Sequence, residues 1–319
     1  MVWTSNAARA ATGKTVPGTR PGGIWERAEM TAGISAKNVT LRDLSSIDDL
    51  KRVREIEREV WGLPEGDAIP LLLAIAERAA GNIFIGAFDQ KKMVGFAFGF
   101  FGREHGQVTI HSHMLAVLEQ YRQHDVGLRL KLAQRERALA LGVREMTWTF
   151  DPLQSRNAHF NFAKLGVVSE SYRPDFYGAE SSSMLHQNGT DRLWVRWLLG
   201  SKRVRDRIAG RGGHGETLDA LRHLAPLVKF GGDGRPARSD LKEALARERV
   251  KIEIPGEILE VERSDMQLAR EWRAATRWAF TESLRAGFFV ADYCRSIRGQ
   301  QGPGAYLLQK GTVAEFVPE

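Results

Sequence analysis

One cysteine, Cys294, stands among 319 residues. An internal disulfide framework is thereby excluded, and the chain suits a reducing compartment. No apolar run approaches the roughly 18–20 residues needed to cross a bilayer. The first 30 residues mix Ala, Thr, Gly, Pro and Arg and lack the continuous apolar stretch of a signal peptide. A cytoplasmic location and no membrane partner are the expectations. The segment Gly13-Lys14-Thr15 lacks both the earlier glycine of a phosphate loop (Ala8 stands there) and a preceding strand, so that motif is excluded.

What is present reads as an ordinary globular chain: 27% charged, 43% hydrophobic, long enough for two domains plus tails. The formal charge of +7 admits acidic partners. A basic run at Lys202, Arg203, Arg205, Arg207 and Arg211 has no interleaved aromatics. It reads as a solvated segment, so nucleic acid is not an expected partner.

Residues 1–37 read as a disordered leader, with Met30 a second candidate start. From Asn38 the pattern becomes regular. Strands are predicted over 39–41, 82–88, 93–101, 108–117, 146–150, 167–171 and 193–199, and helices over 47–60, 69–80, 126–141 and 156–164. The helix from Val126 has two apolar stripes, Val126/Leu130/Ala133/Leu141 and Leu128/Leu132/Leu139. Such a helix is expected to be covered on both sides. Residues 201–240, rich in Gly, Arg and Pro, read as a linker or irregular excursion. Beyond them, 241–319 is predicted as a smaller α/β extension packed on the first domain. Its main helix carries Leu268, Trp272, Ala275 and Ala279, with Ser264 and Gln267 as a capping box and Gly287 as a stop.

The most informative segment is 115–127, Leu-Ala-Val-Leu-Glu-Gln-Tyr-Arg-Gln-His-Asp-Val-Gly. An apolar strand stops, a short polar turn follows and a long helix begins. Free N–H groups and the helix dipole make such a junction a seat for phosphate or pyrophosphate. Arg122 stands ready to add charge.

This strand and turn, with the element order β-α-α-β-β-β-α-β-α-β-β, resemble the GCN5-related N-acetyltransferase (GNAT) superfamily over residues 38–200. The family pattern is Leu-x-Val-x-Pro-x-Tyr-Arg-Gly-x-Gly-Ile-Gly. Here Leu115, Val117, Tyr121, Arg122, Val126 and Gly127 match or substitute conservatively. Thr147-Trp148-Thr149-Phe150-Asp151-Pro152-Leu153, Arg156-Asn157-Ala158, Lys164-Leu165-Gly166 and the Trp-Arg-x-x-Thr-Arg helix at 272–277 further resemble a bacterial subgroup of GNAT acyltransferases with a C-terminal extension. The resemblance implies an α/β fold (α+β) with a mixed central sheet. It also implies transfer of an acetyl, succinyl or similar short acyl group from acyl-CoA to the amine of a small molecule or amino acid. On this reading Leu115, Ala116 and Val117 pair with the pantetheine arm. The amides of Arg122, Gln123, His124, Asp125, Val126 and Gly127 hold the pyrophosphate, and Asn157 reaches the arm. A homodimer is admitted.

Gln123 and Asp125 replace two family glycines. Asp125 is read either as a helix cap or as a charge opposing the pyrophosphate. Phe162 stands where many members have a tyrosine that protonates the leaving thiolate, with Tyr177 as a candidate substitute. His111 and His113, two apart on one face of a strand, are candidate bases or hydrogen-bonded sheet residues. No third ligand accompanies them, so no metal is expected. A degenerate GNAT domain that binds acyl-CoA as a sensor is the rival reading.

Overall fold

The computed structural model describes residues 38–122, 124–178, 187–211, 214–298 and 302–317. The expected leader, Met30 and Gln123 lie outside the described residues. Contacts divide the chain into two compact units. One holds residues through Phe100 together with Met114–Arg137; the other holds Phe101–His113 together with the residues from Ala138 on.

The first unit begins with β1 (Val39–Asp43), antiparallel to β2 (Ile83–Asp89), which is in turn antiparallel to β3 (Lys92–Glu104). Two residues, Gln90 and Lys91, join β2 to β3, with Gln90 at φ +53°. Between β1 and β2 lie α1 (Ile47–Trp61) and α2 (Leu71–Ala79). Helix α1 starts on a capping box at Ser46 and Asp49 and stops at left-handed Gly62, φ 64°. Its Leu50, Val53 and Ile56 are fully buried. β4 (Gln107–Val117) runs into this unit, and α3 (Val126–Ala140) follows it. Val126, Leu130 and Ala133 of α3 are buried as expected. Both stripes depart from expectation toward the C-terminal end: Leu141 of the first and Leu139 of the second are exposed, and the buried polar residues Lys131 and Gln134 take up part of the covered surface.

Glu57 of α1 is buried at 4% exposure, and the Ile69 N–H donates to its Oε2 at 3.0 Å. Burial raises its pKa to about 7, against the hydrogen bond from Ile69. The folded state thus binds more protons than the unfolded chain between about pH 4.5 and 7, and stability falls across that window. Urea unfolding of wild type should lose about 2–3 kcal/mol from this group between pH 4.5 and 8. In Glu57→Gln that loss should disappear, and an unchanged pH slope in the variant would refute the assignment.

In the second unit the strand order is β5-β7-β6-β11-β12-β10-β8-β9. β5 (Glu145–Phe150) and β6 (Val168–Arg173) both run antiparallel to β7 (Arg192–Leu198). The C-terminal strands continue the sheet through Val290↔Ser169, which pairs β11 (Phe288–Cys294) with β6. β12 (Gly304–Lys310) and β10 (Arg249–Ile254) follow, antiparallel. β8 (Pro226–Phe230) is parallel to β10, and β9 (Pro236–Arg238) closes the order.

Three expectations are corrected here. The helix predicted over 156–164 is one α-turn, α4 (Ser155–Ala158), continuing as a π-helix (His159–Leu165) that ends at left-handed Gly166. The stretch 201–240 is not irregular, since it holds α5 (Lys202–Ile208), α6 (His214–His223) and the strands β8 and β9. Its elements are short and separated by glycines, so periodicity had too few residues to register. The helix cap lies one residue later than expected. After α7 (Leu241–Leu245) and α8 (Ile258–Ser264), Asp265 caps α9 (Met266–Arg285) by accepting from the Leu268 N–H, while the Ser264 hydroxyl bonds back to Glu260 O within α8.

Candidate active site

The anion seat expected from the sequence lies within the first unit. β4 ends at Val117, and the Leu118 N–H donates to Val94 O at 2.9 Å. Gly95 allows this close approach, since a Cβ there would lie 2.7 Å from Ala116 O. One tight turn over Glu119–Tyr121 follows, and Tyr121 fixes it by donating its hydroxyl to Asp89 at 2.7 Å. Burial and that bond raise the Tyr121 hydroxyl to about 12. The Arg122 Nε donates to Val117 O at 3.1 Å, which ties the guanidinium to the strand end; burial lowers its pKa. His124 continues the turn, its N–H reaching Tyr121 O at 3.3 Å.

Asp125 is the residue before α3, and its carbonyl accepts the Arg129 N–H at 2.9 Å. Its backbone is left-handed, φ +53°, whereas a capping residue is extended. A family glycine at this position is explained by the same φ, which glycine adopts without a Cβ clash. Leu115, Ala116, Val117, Val126 and Gly127 are all buried.

The candidate bases belong to the second unit. Parallel pairing between β4 and β5 covers Ile110 with Met146 and His111 with Thr147, and is recorded no further along β4. His111 Nδ1 lies 3.0 Å from Thr147 Oγ1, and its ring is 4.7 Å from that of Trp194. His113 shares the face, 6.3 Å away ring to ring. Its side chain keeps an exposed surface, yet crowding by protein lowers its pKa to about 4, so it is neutral at physiological pH. A base that weak withdraws a proton from an ammonium poorly.

Tyr177 is 38% exposed, packs edge-on against Phe176 at 4.8 Å, and lies 5.1 Å from the Arg192 guanidinium. Its loop is anchored by the Tyr177 N–H to Thr190 Oγ1, 3.1 Å, and the Asp175 N–H to Asp191 Oδ1, 3.0 Å. Helix α9 supplies the rest of that anchor. Arg277 pairs with Asp175 at 2.8 Å and with Asp191, while Arg273 forks onto both oxygens of Asp151 at 2.8 and 2.7 Å. Trp272 Nε1 donates to Gly234 O at 3.0 Å. The Trp-Arg-x-x-Thr-Arg signature is thus a clamp on the end of β5 and on the β6–β7 connection. Asp151, Asp191 and Arg273 had no role in the sequence reading; their partners stand far away in the chain.

Asn157 is 4% exposed, with an Oδ1 that has no hydrogen-bond partner. Phe162 is fully buried, packed edge-on against Phe150 at 6.3 Å and Tyr306 at 5.8 Å, so that position serves the core.

The basic run proves to be paired within the fold. Lys202 and Arg211 both contact Asp206, Arg205 bonds Gly200 O, Arg203 donates to Gly166 O and Ala291 O, and Arg207 pairs with Asp292. Among the described residues no group of three His, Cys, Asp or Glu could hold a metal, and no helix is long and apolar enough to cross a membrane.

The model of the Acetyltransferase (GNAT) family matches residues 50–167, a span that includes the β4–α3 turn. No curated protein matches the chain. Similar solved structures include the ribosomal-protein-S18-alanine N-acetyltransferase of Escherichia coli, 14% identical, covering 50% of this chain and 94% of that one, TM-score 0.41. A GNAT-family acetyltransferase of Streptococcus pneumoniae is 16% identical over 50% and 99%, TM-score 0.41. Arabidopsis thaliana Naa50, solved with the bisubstrate analogue CoA-Ac-MVNAL, is 15% identical over 50% and 97%, TM-score 0.38.

Proposed function

We propose, for a chain whose residues 50–167 match the model of the Acetyltransferase (GNAT) family, that it transfers a short acyl group from acyl-CoA to the amine of a small molecule or amino acid. The observation that carries this reading is the β4–α3 turn, where Arg122 is tied to the strand end at the start of a fifteen-residue helix. The Arg122 and His124 N–H groups are given to Glu119 O and Tyr121 O, so the other amides of the turn over residues 122–127, Gln123 among them, would hold the pyrophosphate together with the Arg122 side chain and the helix dipole. The backbone of Leu115, Ala116 and Val117 would pair with the pantetheine arm, and Asn157 Oδ1 would accept from an amide of it. When bound, acyl-CoA supplies the activated thioester. The chain's residues orient the two substrates, and orientation accounts for most of the rate. His111, held by Thr147, would take the proton from the amine as nitrogen attacks the acyl carbon and the carbon–sulfur bond breaks. Tyr177 would stand as donor to the departing thiolate, since Phe162 has no proton to give.

A second reading, an acyl-CoA sensor without turnover, is favoured by the burial of Phe162 and the weak basicity of His113. Calorimetry with acetyl-CoA and succinyl-CoA tests both readings, and no binding of either would sink both. A free-thiol release assay across amino acids and small amines then separates them. Release above the hydrolysis background supports the enzyme; binding without release supports the sensor.

A further inference from the structure

One face of the sheet in the second unit gathers aromatic rings and places arginines beside them. Alternation along β7 puts Arg192 and Trp194 on the same face, and the register sets Arg173 and Ser171 of β6 directly opposite them. The His111 ring lies 4.7 Å from that of Trp194, and Phe176 of the β6–β7 connection meets Trp194 edge-on at 6.3 Å. Tyr177 extends the row beyond Phe176. This surface is open: Phe176 and Tyr177 are each 38% exposed, and Arg173 is exposed as well. All of these residues belong to the second unit. Apolar surface gathered in one place marks a binding site far more often than scattered exposure does.

The charges on this face say what kind of ligand suits it. Arg173 and Arg192 occupy directly opposite positions on neighbouring strands, where like charges repel. Arg192 is 3% exposed, and burial works against its charge and lowers its pKa. Arg173 gives its Nε–H to Ser171 Oγ at 3.0 Å and enters no ion pair among the described residues. The nearby carboxylates are committed to other cations, Asp151 to Arg273, and Asp175 and Asp191 to Arg277. An anion arriving here therefore meets positive charge that the fold does not neutralise. A cationic group gains less, because the Arg173 and Arg192 guanidiniums already stand 5.4 and 5.1 Å from the ring centroids of Trp194 and Tyr177.

We infer that this face is the acceptor site of the acyl transfer, and that it takes an amino acid with a free carboxylate and an aromatic side chain. The ligand's ring packs on Phe176 and Tyr177, its carboxylate meets the Arg173 guanidinium, and its amine is left on the side of His111. Arg173 and Phe176 are thus specificity-determining residues. The inference rests on the proposed function and narrows its acceptor from amines in general to one class.

Calorimetry on the full chain with excess CoA tests it with three probes. L-phenylalanine carries ring, amine and carboxylate; phenylethylamine lacks the carboxylate, and L-alanine lacks the ring. L-phenylalanine should bind at least about tenfold more tightly than either, since one loses a charged hydrogen bond and the other a buried ring. Arg173→Gln should abolish the advantage over phenylethylamine while phenylethylamine itself stays within twofold. Phe176→Ala should shrink the advantage over L-alanine. In the thiol-release assay both changes should fall on the KM for the amine and leave kcat and the KM for acetyl-CoA unchanged. Thermal unfolding checks that the variants fold, and the comparison of probes on wild type needs no variant. Equal affinity for the three probes would overturn the inference. So would an Arg173→Gln variant that weakens all three alike or leaves L-phenylalanine unaffected. Wild type that binds acetyl-CoA but shows no preference for L-phenylalanine overturns the inference alone. Wild type that binds neither acetyl-CoA nor succinyl-CoA overturns the proposed function with it.

Discussion

Arg273→Ala is expected to lower the unfolding free energy by about 3–5 kcal/mol, the range for breaking a buried ion pair from one side. Arg273 lies within helix α9 with its side chain 7% exposed, forked onto Asp151 and donating its Nε to Asn188 O at 2.8 Å. Burial alone would raise the Asp151 carboxyl, but the facing Arg273 guanidinium outweighs it and holds the group below its usual range. Removing the guanidinium leaves a carboxylate in the interior with its main counter-charge gone. Two signatures separate this from simple loss of packing. The variant should regain stability as the pH falls toward 5, because protonating Asp151 relieves the penalty, and wild type should not. Arg273→Lys should fall between the two, since an ammonium neutralises the charge but cannot fork. Urea unfolding at pH 5 and 7 reads all of this, and a loss below 1 kcal/mol in Arg273→Ala would refute the clamp.

That clamp bears on function as well as stability. It joins the end of β5 to the β6–β7 connection, and that connection presents Tyr177. Arg277, the second cation of the helix, holds Asp175 only two residues from Tyr177. The C-terminal extension is thus built into the unit that carries His111, Tyr177 and Asn157, and its Trp-Arg-x-x-Thr-Arg signature is explained by geometry rather than by contact with a substrate.

The parts of this arrangement that the sequence made legible are those governed by local rules. Residues 47–60 repeat apolar side chains at helical spacing and end in glycine, so α1 was predicted to within a residue. The alternation in 82–101 and the strand-turn-helix at 115–127 are equally local. What escaped depended on distant partners or on unusual winding. The π-helix keeps the apolar spacing of an α-helix closely enough that 156–164 gave no warning of it. Asp151 and Arg273 are separated by 122 residues, and nothing in either neighbourhood announces the other. Ser155 lies just before the predicted helix, and its hydroxyl partner Tyr293 is 138 residues away. Asp125 was half legible: its departure from a family glycine was visible, but the left-handed backbone that explains the glycine was not.

Asp125→Gly should tighten acyl-CoA binding by at least about fivefold, and the reasons can be separated. A carboxylate about 4 Å from a phosphate charge costs ~1 kcal/mol with water-like screening and about 4 kcal/mol at an effective dielectric of 20. Asp125 is exposed, so the lower figure governs, and the gain should shrink as salt is raised. Stability should move by less than about 1 kcal/mol. Glycine relieves the left-handed strain at φ +53° but adds chain entropy to the unfolded state, and the two nearly offset. Asp125→Asn removes the charge while keeping a residue that tolerates this backbone. If repulsion is the whole effect, Asn and Gly should tighten binding equally. If Gly alone does so, the amides of the turn are held off the pyrophosphate by the backbone at 125. Calorimetry at low and high salt distinguishes these outcomes. Binding unchanged or weakened in both variants would mean that Asp125 orders the turn instead of opposing the ligand, and the pyrophosphate would then have to be placed away from the first turn of α3.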